Sequence, residues 1–336
     1  MTYSNADYAK LDTARWMAAL AVVLLHCAAV PLTTTTDYGT QNWFWANVYD
    51  AATRWCVPIF VMVSGVLLLD PAKREGFGEF YKKRGRRILP ALLFWSVFYL
   101  FWGAWMYHQQ GVPMDAQAWL RKATSGEPYY HLWYLYMLVG LYLFAPYLRL
   151  LYQHCTQRQS RYILLFMLVL AMLQSLYRET QGNSYGFFLL WFLPYISYFL
   201  AGRMMFERRV VIPYPGWVLA ASIAATVVGT TLLSSEDYFS TYFYDTFSLT
   251  VPVMSLAVFQ LILDRPRLPQ LRMLAPFTFG IYLVHPIFLD LAQQTGLYQA
   301  QTGIVWQTPL MAFAVFMLSW LLARLLRTLP GGTRIT

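Results

Sequence analysis

Apolar residues fall along this chain in blocks of about twenty, separated by short polar or basic segments. A helix crossing a bilayer needs about 20 mostly apolar residues, because the hydrocarbon core is about 30 Å thick and each residue rises about 1.5 Å. Ten blocks qualify: 14–33, 48–69, 88–108, 131–151, 161–178, 186–206, 215–234, 245–263, 274–294 and 306–327. The spacing predicts an all-α, polytopic membrane protein of about ten transmembrane helices, with residues 1–336 forming a single transmembrane domain. The fifth block is short and flanked by charge, and the eighth opens in a Tyr- and Phe-rich segment, so the count holds to within one. The longest hydrophilic stretches, 34–47, 70–87 and 109–130, are of loop length. The first block, Trp16 to Pro31, carries His26 and is followed by many equal blocks, which predicts a retained signal anchor rather than a cleaved leader.

Charge gives the orientation. Lys and Arg accumulate on the cytoplasmic side of membrane proteins. With the N-terminus inside, strict alternation puts 21 of the 25 Lys and Arg residues on cytoplasmic segments, seven of them in the 70–87 loop. Only Arg54, Arg121, Lys122 and Arg178 fall outside. Both termini are therefore expected in the cytoplasm. The net charge of +9 then reports membrane topology and contact with lipid headgroups, not nucleic acid. Composition agrees: 58% of residues are hydrophobic, 12% are charged and 18% are Phe, Trp or Tyr, rings that favour the membrane interface. Cys27, Cys56 and Cys155 have no paired spacing, and no metal motif is present, so no metal is expected. P-loop, Rossmann and Gly-x-Ser-x-Gly patterns are also missing, and Ser64-Gly65 alone does not make a nucleophile elbow.

An ionisable side chain inside lipid is costly, and is by default a candidate for function. Arg15 and His26 are 11 residues apart in the first helix, 20° past three full turns and so on one face, separated by roughly 16–17 Å. A histidine with an ordinary pKa near 6.5 can act as a general base; a buried ring satisfied by a backbone carbonyl is the plainer alternative. Arg54, at i+4 from Asp50, is placed to hold an oxyanion or a substrate phosphate, or else to snorkel at the interface. In the basic segment, Arg86 and Arg87 lie closest to the bilayer, as lipid anchors or as a grip on the phosphates of a cytosolic cofactor. The run Glu127-Pro128-Tyr129-Tyr130-His131-Leu132-Trp133-Tyr134 forms either an aromatic belt or a platform for a sugar ring, with Trp133 and Tyr134 the candidates for contact. His285-Pro286 sits near mid-membrane in the ninth helix, with Asp290 farther out; His285 is a candidate for substrate binding.

These stretches resemble the acyltransferase-3 family of integral membrane O-acyltransferases. The resemblance is carried by Leu11-Asp12-Thr13-Ala14-Arg15 through His26, by Val57-Pro58-Ile59-Phe60 to Ser64-Gly65, and by Arg84-Gly85-Arg86-Arg87-Ile88-Leu89-Pro90. His131-Leu132-Trp133-Tyr134-Leu135 and Tyr282-Leu283-Val284-His285-Pro286 add to it, so it covers most of the chain in order. Trp16 stands where the family's usual first-helix motif has a small glycine. The resemblance implies an acyl donor taken from the cytosol, usually acetyl-CoA, as co-substrate with no tightly bound cofactor. It also implies an acceptor hydroxyl on an extracytoplasmic saccharide or lipid-linked glycan, and a multi-pass place in the inner cell membrane. By position it makes His26 the catalytic histidine, Arg15 its motif partner, and Arg86 and Arg87 the donor-side basic pair. The alternative function for the same helices is a transporter or flippase of glycans or small molecules.

Overall fold

A computed structural model describes residues 5–34, 38–112, 114–181, 188–265, 274–298 and 303–336. Among these residues the secondary structure is helical, with no strand. Among the described residues nine helical segments are long and apolar enough to cross a membrane, and a tenth, Val251–Asp264, is apolar but shorter. The chain is an all-α, multi-pass membrane protein. Its lipid-facing sides are readable from exposure. On one helix the exposed positions Tyr162, Leu165, Phe166, Val169, Leu170 and Leu173 recur at helical spacing and are apolar, the reverse of a water-facing stripe.

The helices are α1 (Asn5–Thr34), α2 (Gln41–Ala51), α3 (Cys56–Leu68), α4 (Phe77–Gln109), α5 (Ala116–Thr124) and α6 (Trp133–His154). They continue with α7 (Gln157–Gln181), α8 (Phe192–Phe206), α9 (Pro215–Leu233), α10 (Val251–Asp264), α11 (Thr278–Gln294) and α12 (Ile304–Thr328). Three departures from the hydropathy blocks have local causes. The second block is two helices. Pro58 has no N–H for the carbonyl of Arg54, and turns at Thr53 and Cys56 intervene, closed on Asp50 and Thr53. The eighth block becomes helical only at Val251, because Asp245 accepts from Phe247 N and from Ser175 and Arg178, which commits its backbone to a turn. The basic 70–87 segment is helix from Phe77 onward, so Lys82, Lys83, Arg84, Arg86 and Arg87 ride on α4 and not on a loop.

Side-chain bonds fix which segments share an end. Lys10 donates to the carbonyl of Leu263, Arg208 pairs with Asp264, Arg149 with Glu75, and Arg327 donates to the carbonyl of Pro276. They join the start of α1 and the end of α8 to the end of α10, the end of α6 to the segment before α4, and the end of α12 to the segment before α11, and these places make up the basic end. Arg267 and Arg272 lie outside the described residues. Two cations of this end do more than mark topology. Arg203, 2% exposed, donates to Val66 O and to Glu207 and also pairs with Asp70. Buried Arg149 contacts Glu75 through both backbone and side chain.

The centre of the bundle is α3 against α8. Here two glycines remove the side chains that would hold the backbones apart. A methyl on Gly65 would lie 1.8 Å from the carbonyl oxygen of Phe199, and one on Gly202 would lie 2.1 Å from that of Met62. α1 packs on α2, α3, α11 and α12, through Ala14, Ala18 and Ala19, all at most 1% exposed. Proline recurs inside these helices, and each leaves the carbonyl four residues earlier without its amide partner. In lipid that carbonyl must be satisfied by other means. Pro31 frees Cys27 O, which takes the hydroxyl of Tyr298 at 2.8 Å; Pro309 frees Val305 O, which takes the hydroxyl of Tyr49 at 2.7 Å.

Candidate functional site

The third such carbonyl lies at the centre of the site. Pro286 in α11 frees Tyr282 O, and the ring of His285 fills the gap, its Nδ1 at 2.7 Å from that oxygen. A carbonyl only accepts, so Nδ1 carries the hydrogen and Nε2 of neutral His285 is left with its lone pair. That Nε2 is buried and has no hydrogen-bond partner among the described residues. The local sequence thus fixes a tautomer through one proline.

His285 is not alone. α1 brings His26 against it, with ring centroids 5.1 Å apart and nearly parallel. The turn before α6 brings His131, whose centroid is 5.5 Å from that of His285. His131 is held by its backbone, since its carbonyl accepts a short hydrogen bond from the hydroxyl of Tyr282. Tyr99 donates to Leu283 O at 2.6 Å and sets its ring edge against His131, fixing α4 to the same layer. The three histidines come from three distant parts of the chain and form one layer within the bundle. His131 and His285 are buried, whereas His26 is half-buried. No cluster of His, Cys, Asp or Glu with metal-binding geometry occurs among the described residues.

A cavity approaches this layer from each end. At the basic end, about 510 Å³ is lined by Asp12 and Arg15 of α1, by Phe60 and Ser64 of α3, by Lys73, and by Lys83, Arg84 and Arg87 of α4. Its lining reaches Tyr134 and Tyr282, the latter 5.3 Å from His131 between ring centroids. The cavity presents five basic side chains against one acidic. Arg15 is paired with Asp12 at 3.0 Å, and Arg84 and Lys83 face Glu75. Arg87 has no ion pair among the described residues. Burial and the nearby Arg84 hold the Lys73 ammonium below its ordinary value, so an anion that neutralised this cluster would be favoured.

At the opposite end two cavities meet at Tyr130, which is 42% exposed and whose ring centroid is 4.9 Å from that of His26. One, about 470 Å³, is lined by Arg54, Trp133, Trp191 and Tyr195 among others. The other, about 580 Å³, is lined by Tyr99, Tyr129 and Asp290 among others. At each end a tyrosine ring that lines the cavity lies against a histidine of the layer, Tyr282 against His131 and Tyr130 against His26. Chemically, the arrangement can bring an anion-bearing molecule from the basic end and a second molecule from the other to one imidazole.

The predicted residues fall into this plan unevenly. His26 and His285 are brought together. Arg15 and Arg87 share the basic cavity, whereas Arg86 is exposed and outside its lining. Trp133 and Tyr134, adjacent in sequence, face different cavities: Trp133 the far one and Tyr134 the basic one, away from the aromatic platform expected of both. Arg54 lines both the 470 Å³ cavity and an adjoining one with Asp50, and is held by a short ion pair to Asp50, by Tyr244 O at 3.2 Å, and over the Tyr244 ring at 4.1 Å. Sequence reasoning did not choose His131 and Tyr130, though both stood in the aromatic run; a histidine in a dense aromatic cluster gives the same signal as an interfacial belt.

Residues 8–324 match a family model described as an acyltransferase domain. No curated protein and no solved structure matches the chain.

Proposed function

The chain belongs to the acyltransferase-3 family, and on that premise we propose a specific transfer reaction. The acyl group, acetyl in the commonest case, passes from cytosolic acyl-CoA to a hydroxyl of an extracytoplasmic saccharide or lipid-linked glycan, in the inner membrane of the cell. The observation that supports this best is the histidine layer, which lies against a tyrosine ring of the basic cavity on one side and against a tyrosine ring of the neutral and aromatic cavities on the other. The nucleotide phosphates of the donor suit the basic cavity, and its pantetheine arm reaches toward the layer. The donor then need not cross the bilayer.

In the reaction, His26 takes the proton from the acceptor hydroxyl as its oxygen attacks the thioester carbonyl. The tetrahedral intermediate collapses with cleavage of the carbon–sulfur bond, and the imidazolium returns the proton to the departing thiolate. His285, fixed as the Nδ1–H tautomer, stacks on the His26 ring and positions it at the substrate-binding centre. Arg54 and Trp133 contribute to acceptor binding, and Arg15 and Arg87 to the donor side. The direct test incubates the purified protein with radiolabelled acetyl-CoA and candidate glycans; label in glycan supports the reading, and label that stays in CoA overturns it.

Two further results are expected. Arg87→Gln should raise KM for acyl-CoA about tenfold, with Arg86→Gln well below that, because only Arg87 lines the cavity; equal effects would place the phosphates elsewhere. Pro286→Ala should give Tyr282 O a backbone N–H again and release the imidazole of His285. The rate should then fall about tenfold while the melting temperature holds or rises, since a helix interior favours Ala over Pro. A fall in melting temperature with an unchanged rate would separate the proline from the chemistry.

A further inference from the structure

Asp290 near the far end of α11 is 6% exposed and has no ion pair among the described residues. A carboxylate in that position is costly unless it is hydrogen-bonded and used. Both of its hydrogen bonds fall on one oxygen: Trp102 Nε1 and the Tyr129 hydroxyl each donate to Oδ2 at 2.7 Å. Oδ1 receives none among the described residues and belongs to a residue lining the 580 Å³ cavity. The same cavity is lined by Tyr107, Tyr129 and Tyr130 and by Gln293 and Gln294. Apolar ring faces beside a fixed acceptor and side-chain amides match a pyranose, which offers C–H faces and adjacent hydroxyl donors. The neighbouring far-end cavity differs, because its arginines are already paired, Arg54 with Asp50 and Arg178 with Asp245.

We propose that the groove between α4 and α11 is a saccharide subsite, in which Asp290 Oδ1 accepts hydroxyl hydrogens of an uncharged sugar unit. Its place in the acyl-transfer reaction rests on the function proposed above; the binding itself does not. Asp290 is five residues beyond His285, about 7.5 Å along the helix, so a sugar held here lies on the other side of the Tyr130 ring from His26. An unneutralised carboxylate repels a second one. The subsite therefore discriminates against uronates, although Lys122 also lines the cavity.

The test needs no acyl donor. Saturation-transfer NMR on the purified protein, with a panel of methyl hexopyranosides and their uronate counterparts at millimolar concentration, should show transfer to the ring C–H protons of neutral members and not to uronates. Asp290→Asn keeps an oxygen for Trp102 and Tyr129, yet should weaken neutral glycosides about tenfold and narrow the gap to uronates. If Asp290→Asn does not fold, Gln294→Leu in the same groove should weaken neutral glycosides. No neutral glycoside binding to the wild type, or a neutral-to-uronate preference untouched by these variants, overturns the subsite. Binding with this selectivity but no acyl transfer supports the subsite and removes the proposed reaction.

Discussion

Replacing His26 by alanine is expected to lower acyl transfer by about 10²–10⁴-fold, the usual worth of a positioned general base. Membrane accumulation and thermal melting should remain close to wild type. The magnitude follows from the limited capacity of the other two rings to substitute. His285 is fully buried, its Nε2 included, and His131 is buried behind Tyr282 and Tyr99. His26 is the half-buried member, in contact with the exposed Tyr130. The assay is glycan labelling from radiolabelled acetyl-CoA on matched amounts of purified protein. An unchanged rate in His26→Ala would move the base to His285. Loss of protein from the membrane, by contrast, would make the ring a packing element.

The second large effect concerns the fold. Gly65→Ala or Gly202→Ala adds one methyl, but in each case it meets backbone atoms of the facing helix, which cannot swing aside as a side chain would. α3 and α8 must then separate along their whole contact, and a cost on the order of 4 kcal/mol or more is expected. The readouts are yield from membranes and melting temperature in detergent. Gly85→Ala is the internal control. Its methyl would be 3.6 Å from the Leu89 side chain, and an alanine gains about 0.5–1 kcal/mol over glycine within a helix. Tolerance of alanine at 202 with a normal melt would mean that the two helices do not cross this closely.

Much of this was legible in the chain, and the illegible parts share a cause. Spanning blocks are local and depend on hydropathy alone, so their number and order could be read directly. Hydropathy is blind where a helix leaves the apolar zone, which is why the first three turns of α4, with their lysines and arginines, read as a loop. Ser64-Gly65 did not make a nucleophile elbow on sequence; the role of Gly65 is steric and depends on Phe199, 134 positions later. The unpaired state of Asp290 likewise needs Trp102 and Tyr129, which no local window contains. Adjacent residues misled in the opposite way: Trp133 and Tyr134 read as one surface, although consecutive helix positions point about 100° apart.

The hydroxyl groups of Tyr49 and Tyr298, anchored on carbonyls that Pro309 and Pro31 left open, carry an evolutionary implication. Each attachment depends on side-chain chemistry at one end only. At the other end any amino acid supplies the oxygen, so the bond itself places no demand on the side chains of Val305 and Cys27. What must change together is the tyrosine and the imino acid, because losing the ring closes the vacancy and losing the tyrosine exposes it. Among relatives, position 49 should therefore vary in step with position 309, and position 298 with position 31, while 305 and 27 change independently. Pairings inferred from co-varying columns would then fall one helical turn away from the atoms that touch.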